Sequence, residues 1–238
     1  MSIKTALKEA AKWLAMKFGE DILVFIGDKL KSRYKKYFEN KNILILGNKQ
    51  TGKTSLAYLM TEGKPYKTDD NGDIKTPSPT AMTSVIDQRT KLDEDSWANV
   101  KKDVPGDKGL RDTWSDAIEE ISPHGIIYMI DGSKSDDEIS DSLSDMKEVL
   151  SSSYKHGVGN LEVVHIFVNF SDHWSEGKIK DRENLRKIED IADKMIVQDR
   201  ALKNLSIETH RLQLSPNKSS WDEADKAISK FGADLKSM

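Results

Sequence analysis

The stretch that most constrains this chain is ILILGNKQTGKTSLAYLM, residues 43–60. Four apolar residues run into a glycine-bounded loop, the loop ends in Gly-Lys-Thr, and a helical pattern follows. The loop fits G-x-x-x-x-G-K-[ST], with Gly47, Gly52, Lys53 and Thr54 in place. Glycines admit backbone conformations that other residues resist, so successive N–H groups can converge on phosphate oxygens. The helix that follows adds unsatisfied N–H groups and the positive end of its dipole. Gly47, Asn48, Lys49, Gln50, Thr51, Gly52, Lys53, Thr54 and Ser55 are therefore expected to cradle a phosphate chain. Lys53 is expected to neutralise β- and γ-phosphates, and the Thr54 hydroxyl to ligate Mg²⁺. The bland alternative is a fortuitous glycine turn before a helix; the strand before and the helix after weigh against it.

The rest of the chain sets this loop in an alternating pattern. Short apolar runs (Ile43–Leu46, Ile126–Ile130, Leu161–Val168) alternate with segments whose apolar residues recur at three and four. Those segments carry Leu110/Trp114/Ile118/Ile121, Ile139/Leu143/Met146/Leu150, Leu185/Ile188/Ala192/Met195 and Trp221/Ala224/Ile228/Phe231/Leu235. Such alternation predicts an open, mostly parallel sheet of five to six strands covered by helices on both faces, a three-layer α/β/α domain over residues 39–238. A hairpin is expected over 82–104, and a long loop over the Gly-, Pro-, Asp- and Thr-rich residues 62–81. The serine-rich DGSKSDDEISDSLSD reads as the acidic, solvated start of a helix.

Composition narrows the class. With 238 residues, 32% of them charged and a formal net charge of −3, the chain is globular and not a dedicated nucleic-acid binder. It has no cysteine, which excludes disulfides and thiolate metal sites and fits a reducing compartment. Charged residues interrupt the N-terminal segment, so no signal-peptide pattern is expected there, and Ser2 does not fit the N-myristoylation pattern. The expectation is a soluble, cytoplasmic protein.

Two strand ends carry aspartates that point to different nucleotides. GIIYMID ends at Asp131, which alone would suit the acidic residue of a P-loop ATPase; the alternative is that Asp131 caps the next helix or turn. ANVKKDVPGDKGLRDTW supplies Asp103-x-x-Gly106, and VVHIFVNFSDHW supplies Asn169-x-x-Asp172 at another strand end. An Asn followed three residues later by an Asp suits guanine. The amide pairs with the ring's acceptor edge, and the carboxylate takes the N1–H and N2–H₂ donors. Adenine lacks that pair of donors and would leave the carboxylate desolvated and unpaired. RLQLSPNKSS then offers a small-residue turn at Ser215 after the last strand.

In order and spacing, residues 43–238 resemble a Ras-like small GTPase. They look most like the ADP-ribosylation-factor type and its relative, the β subunit of the signal-recognition-particle receptor. The resemblance rests on the phosphate loop, on Pro79-Thr80 before the second strand, on DVPGDKGLRDTW and on GIIYMIDGS. It implies a G domain that binds GTP or GDP with Mg²⁺ and acts as a molecular switch, with effector and regulatory proteins as partners. By that resemblance Thr80 would bind Mg²⁺ through the first switch, although Thr76 and Thr83 are rivals. Asp103 would hold the ion through water, and the Gly106 N–H would read the γ-phosphate.

Three residues depart from the family pattern. Asp107 stands where a glutamine usually orients the attacking water in catalysis. A short anion that cannot donate a hydrogen bond implies slow intrinsic hydrolysis, which suits a switch or a non-hydrolysing scaffold equally. Phe170 replaces the lysine of the guanine motif, and Pro216 beside Ser215 has no N–H. Residues 1–38 are expected to form an N-terminal amphipathic helical extension with a basic end. It is suited to packing on the domain, a partner or a second copy, and less to peripheral contact with an anionic membrane, because Glu20 and Asp21 stand in its middle. The five histidines show no metal-ligand spacing.

Overall fold

Apolar runs without polar alternation make strands that must be covered on both faces. The computed structural model, which describes residues 41–62, 100–103, 112–155, 160–170, 178–197, 199, 202, 205–214 and 218–237, arranges them so. In chain order the elements are β1 (Ile43–Gly47), α1 (Lys53–Glu62), β2 (Val100–Asp103), α2 (Asp112–Ile121), β3 (Gly125–Asp131), α3 (Asp136–Lys155), β4 (Val163–Asn169), α4 (Lys178–Val197), β5 (Ser206–Arg211) and α5 (Lys218–Ser237). The described strands form one five-stranded parallel sheet in the order β2-β1-β3-β4-β5. The expected extension over 1–38 lies outside the described residues, as do the long loop after residue 62 and residues 82–99 of the expected hairpin. Its last residues form β2, which pairs with β1 through Ile43↔Val100 and Ile45↔Asp103.

The two-residue period of the strands sorts their side chains between two cores. Leu44, Leu46, Ile126, Tyr128, Ile130, Val164, Ile166 and Val168 pack against α2, α3 and α4. Ile43, Ile45, Ile127, Met129, Val163 and Phe167 pack against α1 and α5. On the first face Trp114 meets Tyr128 edge-on at 6.0 Å, and the buried Tyr128 hydroxyl donates to Ser142 O at 2.7 Å. A phenol of this size is therefore buried without leaving its hydroxyl unpaired. On the second face Ala224, Ile228, Phe231 and Leu235 of α5 are buried at the spacing expected from the sequence.

Two helix and turn details differ in kind. α3 begins with a reciprocal cap: Ser135 N donates to Glu138 Oε2 at 3.1 Å, and Glu138 N to Ser135 Oγ at 3.4 Å. Asp131 does not cap that helix; its Oδ1 accepts from Ser133 N at 2.9 Å and Ser133 Oγ at 2.6 Å, closing a local turn. Among the described residues, no helix is long and apolar enough to cross a membrane.

Candidate functional site

In an open parallel sheet, ligands bind beyond the carboxyl ends of the strands, where the strand order reverses. Here β1 has β2 on one side and β3 on the other, so the reversal falls between β1 and β3. Residues 47–52 leave the sheet at that point and lead straight into α1. Gly47 (φ +139°) and Gly52 (φ +96°) hold backbone conformations that L side chains rarely adopt, and Gln50 is left-handed at φ +64°. Space adds to the requirement. A Cβ on Gly47 would lie 2.2 Å from Met129 O, and one on Gly52 would lie 2.6 Å from Asn169 Nδ2.

The lysine of the loop is buried and folded back into it. Lys53 Nζ donates to Gly47 O at 2.8 Å and to Asn48 O at 2.7 Å. Thr51 Oγ1 donates to Asn48 O at 3.0 Å. Loop carbonyls are thus gathered onto a cation and a hydroxyl. No acidic side chain of α1 stands in its first turn, so the helix does not itself offset the positive end of its dipole, which suits an anion there. Lys49 and Gln50 are exposed at the crest of the loop, Asn48 is half-buried below them, and Thr54 and Ser55 are half-buried in the first turn of α1.

Asn169 ends β4 and is 1% exposed. Its Nδ2 donates to Thr51 O at 3.1 Å, its Oδ1 accepts from Leu214 N at 3.0 Å, and its backbone carbonyl accepts from Gly132 N at 2.7 Å. The sequence reading gave the amide to the purine ring. In the structure its oxygen and one of its N–H groups tie the phosphate loop to the segment after β5, which leaves a second N–H on Nδ2 for the ring. Phe170 follows in a left-handed conformation at φ +59°, which turns the chain sharply after the amide. A bulky residue is rarely found there. Leu214 is the site residue that the sequence reading missed; only the neighbouring small-residue turn at Ser215 hinted that this segment approaches the loop.

Asp103 is the last residue of β2, with its Cα opposite Ile45 of β1, which places its backbone at the carboxyl edge beside the loop. Thr80, Gly106, Asp107, Asp172 and Ser215 lie outside the described residues. The described part of the site is therefore a glycine-bounded loop at a helix N-terminus, clamped from one side by a buried amide.

A parallel sheet in this order, with a Gly-Lys-Thr loop at its switch point and an Asn at the end of β4, defines a P-loop α/β G domain. A family model described as signal recognition particle receptor beta subunit matches residues 38–173, more than half of the chain. The protein belongs to that family and is a small GTP-binding protein of the ADP-ribosylation-factor type. The fold is similar to that of an ADP-ribosylation-factor-like GTP-binding protein, a small COPII coat GTPase from Encephalitozoon cuniculi, crystallised with GDP. That match has 17% identity over 99% of this chain and 94% of that one, at a TM-score of 0.55. The mammalian SRP receptor gives 16% identity over 80% of this chain and 100% of that one, at 0.53. A GTP-binding protein from Sulfolobus solfataricus, in complex with GDP, gives 15% identity over 96% of this chain and 62% of that one, at 0.50. At these identities the likeness is one of fold. No curated protein sequence matches the chain significantly.

Proposed function

We infer that the protein is a GTP-dependent molecular switch whose intrinsic hydrolysis is slow. The observation that carries this reading is the Asn169 clamp. One buried amide joins the phosphate loop, through Thr51 O, to the segment after β5, through Leu214 N. A base held beside Asn169 and a phosphate chain held in the loop would be coupled through one rigid connection. Asp172 would read the guanine N1–H and N2–H₂, and Ser215 would stand near the base edge.

Mg²⁺ suits the donors near the loop. Thr54 offers a hydroxyl, and Asp103, whose backbone ends the neighbouring strand, would offer a carboxylate; both are hard oxygen ligands. Thr80 would complete the set from the first switch, and the Gly106 N–H would sense the γ-phosphate. Bound Mg²⁺ would neutralise charge on the β- and γ-oxygens during attack by water. Lys53 would take phosphate oxygens in place of, or beside, the carbonyls it now holds. Loss of the γ-phosphate would release the loops around Thr80 and Gly106, the event that effector and regulatory proteins would read. Residues 1–38 would serve as a packing or partner segment, with peripheral membrane contact as the alternative, and the setting would be the cytoplasm.

Asp107 favours a second reading, in which GTP is held without turnover and the protein is a scaffold. Equilibrium binding of GTP, GDP and ATP with Mg²⁺, followed by phosphate release from the same samples, separates the two. Guanine preference with slow turnover supports the switch. Tight guanine binding without turnover supports the scaffold. Equal or better ATP binding would overturn both.

A further inference from the structure

Behind the Asn169 end of β4, on the face covered by α5, the protein buries an imidazole among other ionisable groups. His165 lies four residues before Asn169, roughly 13 Å back along the strand, and is wholly buried. Its Nδ1 is 2.9 Å from His210 Nε2 on β5, with the ring centroids 4.8 Å apart and the ring planes at 26°. Glu208, the register partner of His165, brings Oε2 to 3.5 Å from His210 Nε2. One ligand atom from each of the three lies within 4.8 Å of the others.

We propose that His165 Nδ1, His210 Nε2 and Glu208 Oε2 form a binding site for a divalent transition-metal ion, with Zn²⁺ the best match. Two imidazoles and a carboxylate, with a fourth position left to water, are a frequent zinc donor set. In a tetrahedral site with Zn–N of 2.0–2.1 Å the two nitrogens stand about 3.3 Å apart, so the rings need to part by only a few tenths of an ångström. The supporting contact that orients such ligands is also in place. His165 Nε2, the nitrogen turned away from the site, is 3.2 Å from Asp234 Oδ2 of α5. A carboxylate behind a metal-bound histidine fixes its tautomer and raises its basicity. Both atoms are buried and face each other at that distance, with no other hydrogen-bond partner. Metal binding would require His210 to carry its proton on Nδ1.

The opposing group is Lys230, whose Nζ lies 3.0 Å from Glu208 Oε1 and 2.8 Å from Asp234 Oδ1. It is half-exposed, engages the outer oxygens of both carboxylates, and competes with a metal ion through charge alone. β5 lies at an edge of the described sheet, and Glu208 is 38% exposed, so an ion can enter from solvent.

The inference does not depend on nucleotide binding and is tested without nucleotide. Full-length protein, stripped of metal with a chelator and held in excess Mg²⁺ to occupy hard-oxygen sites, is titrated with ZnCl₂ by calorimetry and melted in parallel. The expected result is one saturable equivalent of Zn²⁺ and a rise in Tm. Affinity should fall at least about tenfold in His210→Ala and in Glu208→Gln, and by a similar factor in Asp234→Asn. Lys230→Ala, on the exposed side of α5, should bind Zn²⁺ more tightly than wild type, which a purely structural cluster would not predict. Co²⁺ should give strong visible d–d bands that His210→Ala abolishes. No saturable Zn²⁺ binding, or equal binding by the His210 and Glu208 variants, overturns the proposal.

Discussion

Asn169 and Gly52 approach so closely that a methyl group at residue 52 would lie 2.6 Å from Asn169 Nδ2. Gly52 also sits at φ +96°, where an L side chain is strained whatever the space. Gly52→Ala therefore forces either the loop or the clamp to move. The strain alone is about 1–2 kcal/mol. The expected outcome is a lower midpoint in denaturant titration and a guanine-nucleotide affinity reduced by more than about tenfold. Unchanged affinity would mean that the loop accommodates the methyl group, and that the contact does not set its shape.

The clamp itself makes a second prediction, because the two sides of the amide have opposite polarity. Asn169→Ala leaves Thr51 O and Leu214 N without their partner, at about 1–3 kcal/mol for each buried group. Asn169→Asp keeps the acceptor for Leu214 N but sets a second acceptor, charged and buried, against Thr51 O. The aspartate variant should thus be the less stable of the two despite its closer shape. Equilibrium unfolding ranks them, and an aspartate variant as stable as wild type would remove the donor role assigned to Nδ2.

Phe170 turns the chain at φ +59° directly after the clamp. A lysine there would bear the same backbone penalty, so Phe170→Lys isolates the side chain. The expected change is an affinity gain of several-fold for GDP and GTP, from a cation near the phosphate loop, with stability altered by no more than about 1 kcal/mol from lost apolar burial. Nucleotide titration of both proteins in low and high salt checks this, since an electrostatic gain shrinks as salt rises.

What the sequence made legible, and what it hid, follows from contact range. The phosphate loop is contiguous, so its glycines, lysine and threonine can be read as one string. The covering helices declare themselves through local spacing, and Trp114, Ile118, Leu143, Ile228 and Phe231 are buried where that spacing puts them. The inward turn of Asn169 could not be read, because its partners are 118 and 45 residues away along the chain. The same holds for His165 and His210, which look unrelated in sequence and meet only because β4 and β5 pair in parallel with Phe167 opposite His210. Asp131 was ambiguous for a local reason: a strand-ending aspartate can cap a helix, serve a metal or close a turn. Its bonds to Ser133 select the turn.

Asp107 carries the prediction about turnover. Glutamine at this position can both donate and accept, and so can orient a water molecule against the γ-phosphate, whereas an ionised aspartate only accepts and adds negative charge. Asp107→Gln should raise single-turnover GTP hydrolysis by on the order of tenfold or more, with little change in GDP affinity. An unchanged rate would place the water-orienting group elsewhere in the protein or on a partner.

His124 makes the mild-acid behaviour of the fold predictable. Its Nδ1 accepts from Asn42 N at 3.1 Å at the entry to β1, and its carbonyl accepts from Glu162 N at 2.9 Å near the entry to β4. Burial, with the nearby Lys41 charge, lowers its pKa below the ordinary 6.5, and Glu162 opposes the shift. Above pH 6.5 both folded and unfolded chains hold it neutral, and its contribution to stability is complete. As pH falls below 6.5 the unfolded chain takes up the proton first, so that contribution is lost on the way down to the folded pKa. His124→Asn supplies a carbonyl that can still accept from Asn42 N but does not titrate. Between pH 7 and about 5.5 the wild type should therefore lose more stability than the variant, with a difference in slope of at most about 1.4 kcal/mol per pH unit. The other buried histidines titrate in both proteins and cancel in the comparison. Parallel slopes in urea unfolding would show that His124 is protonated as readily in the folded protein as in the unfolded chain.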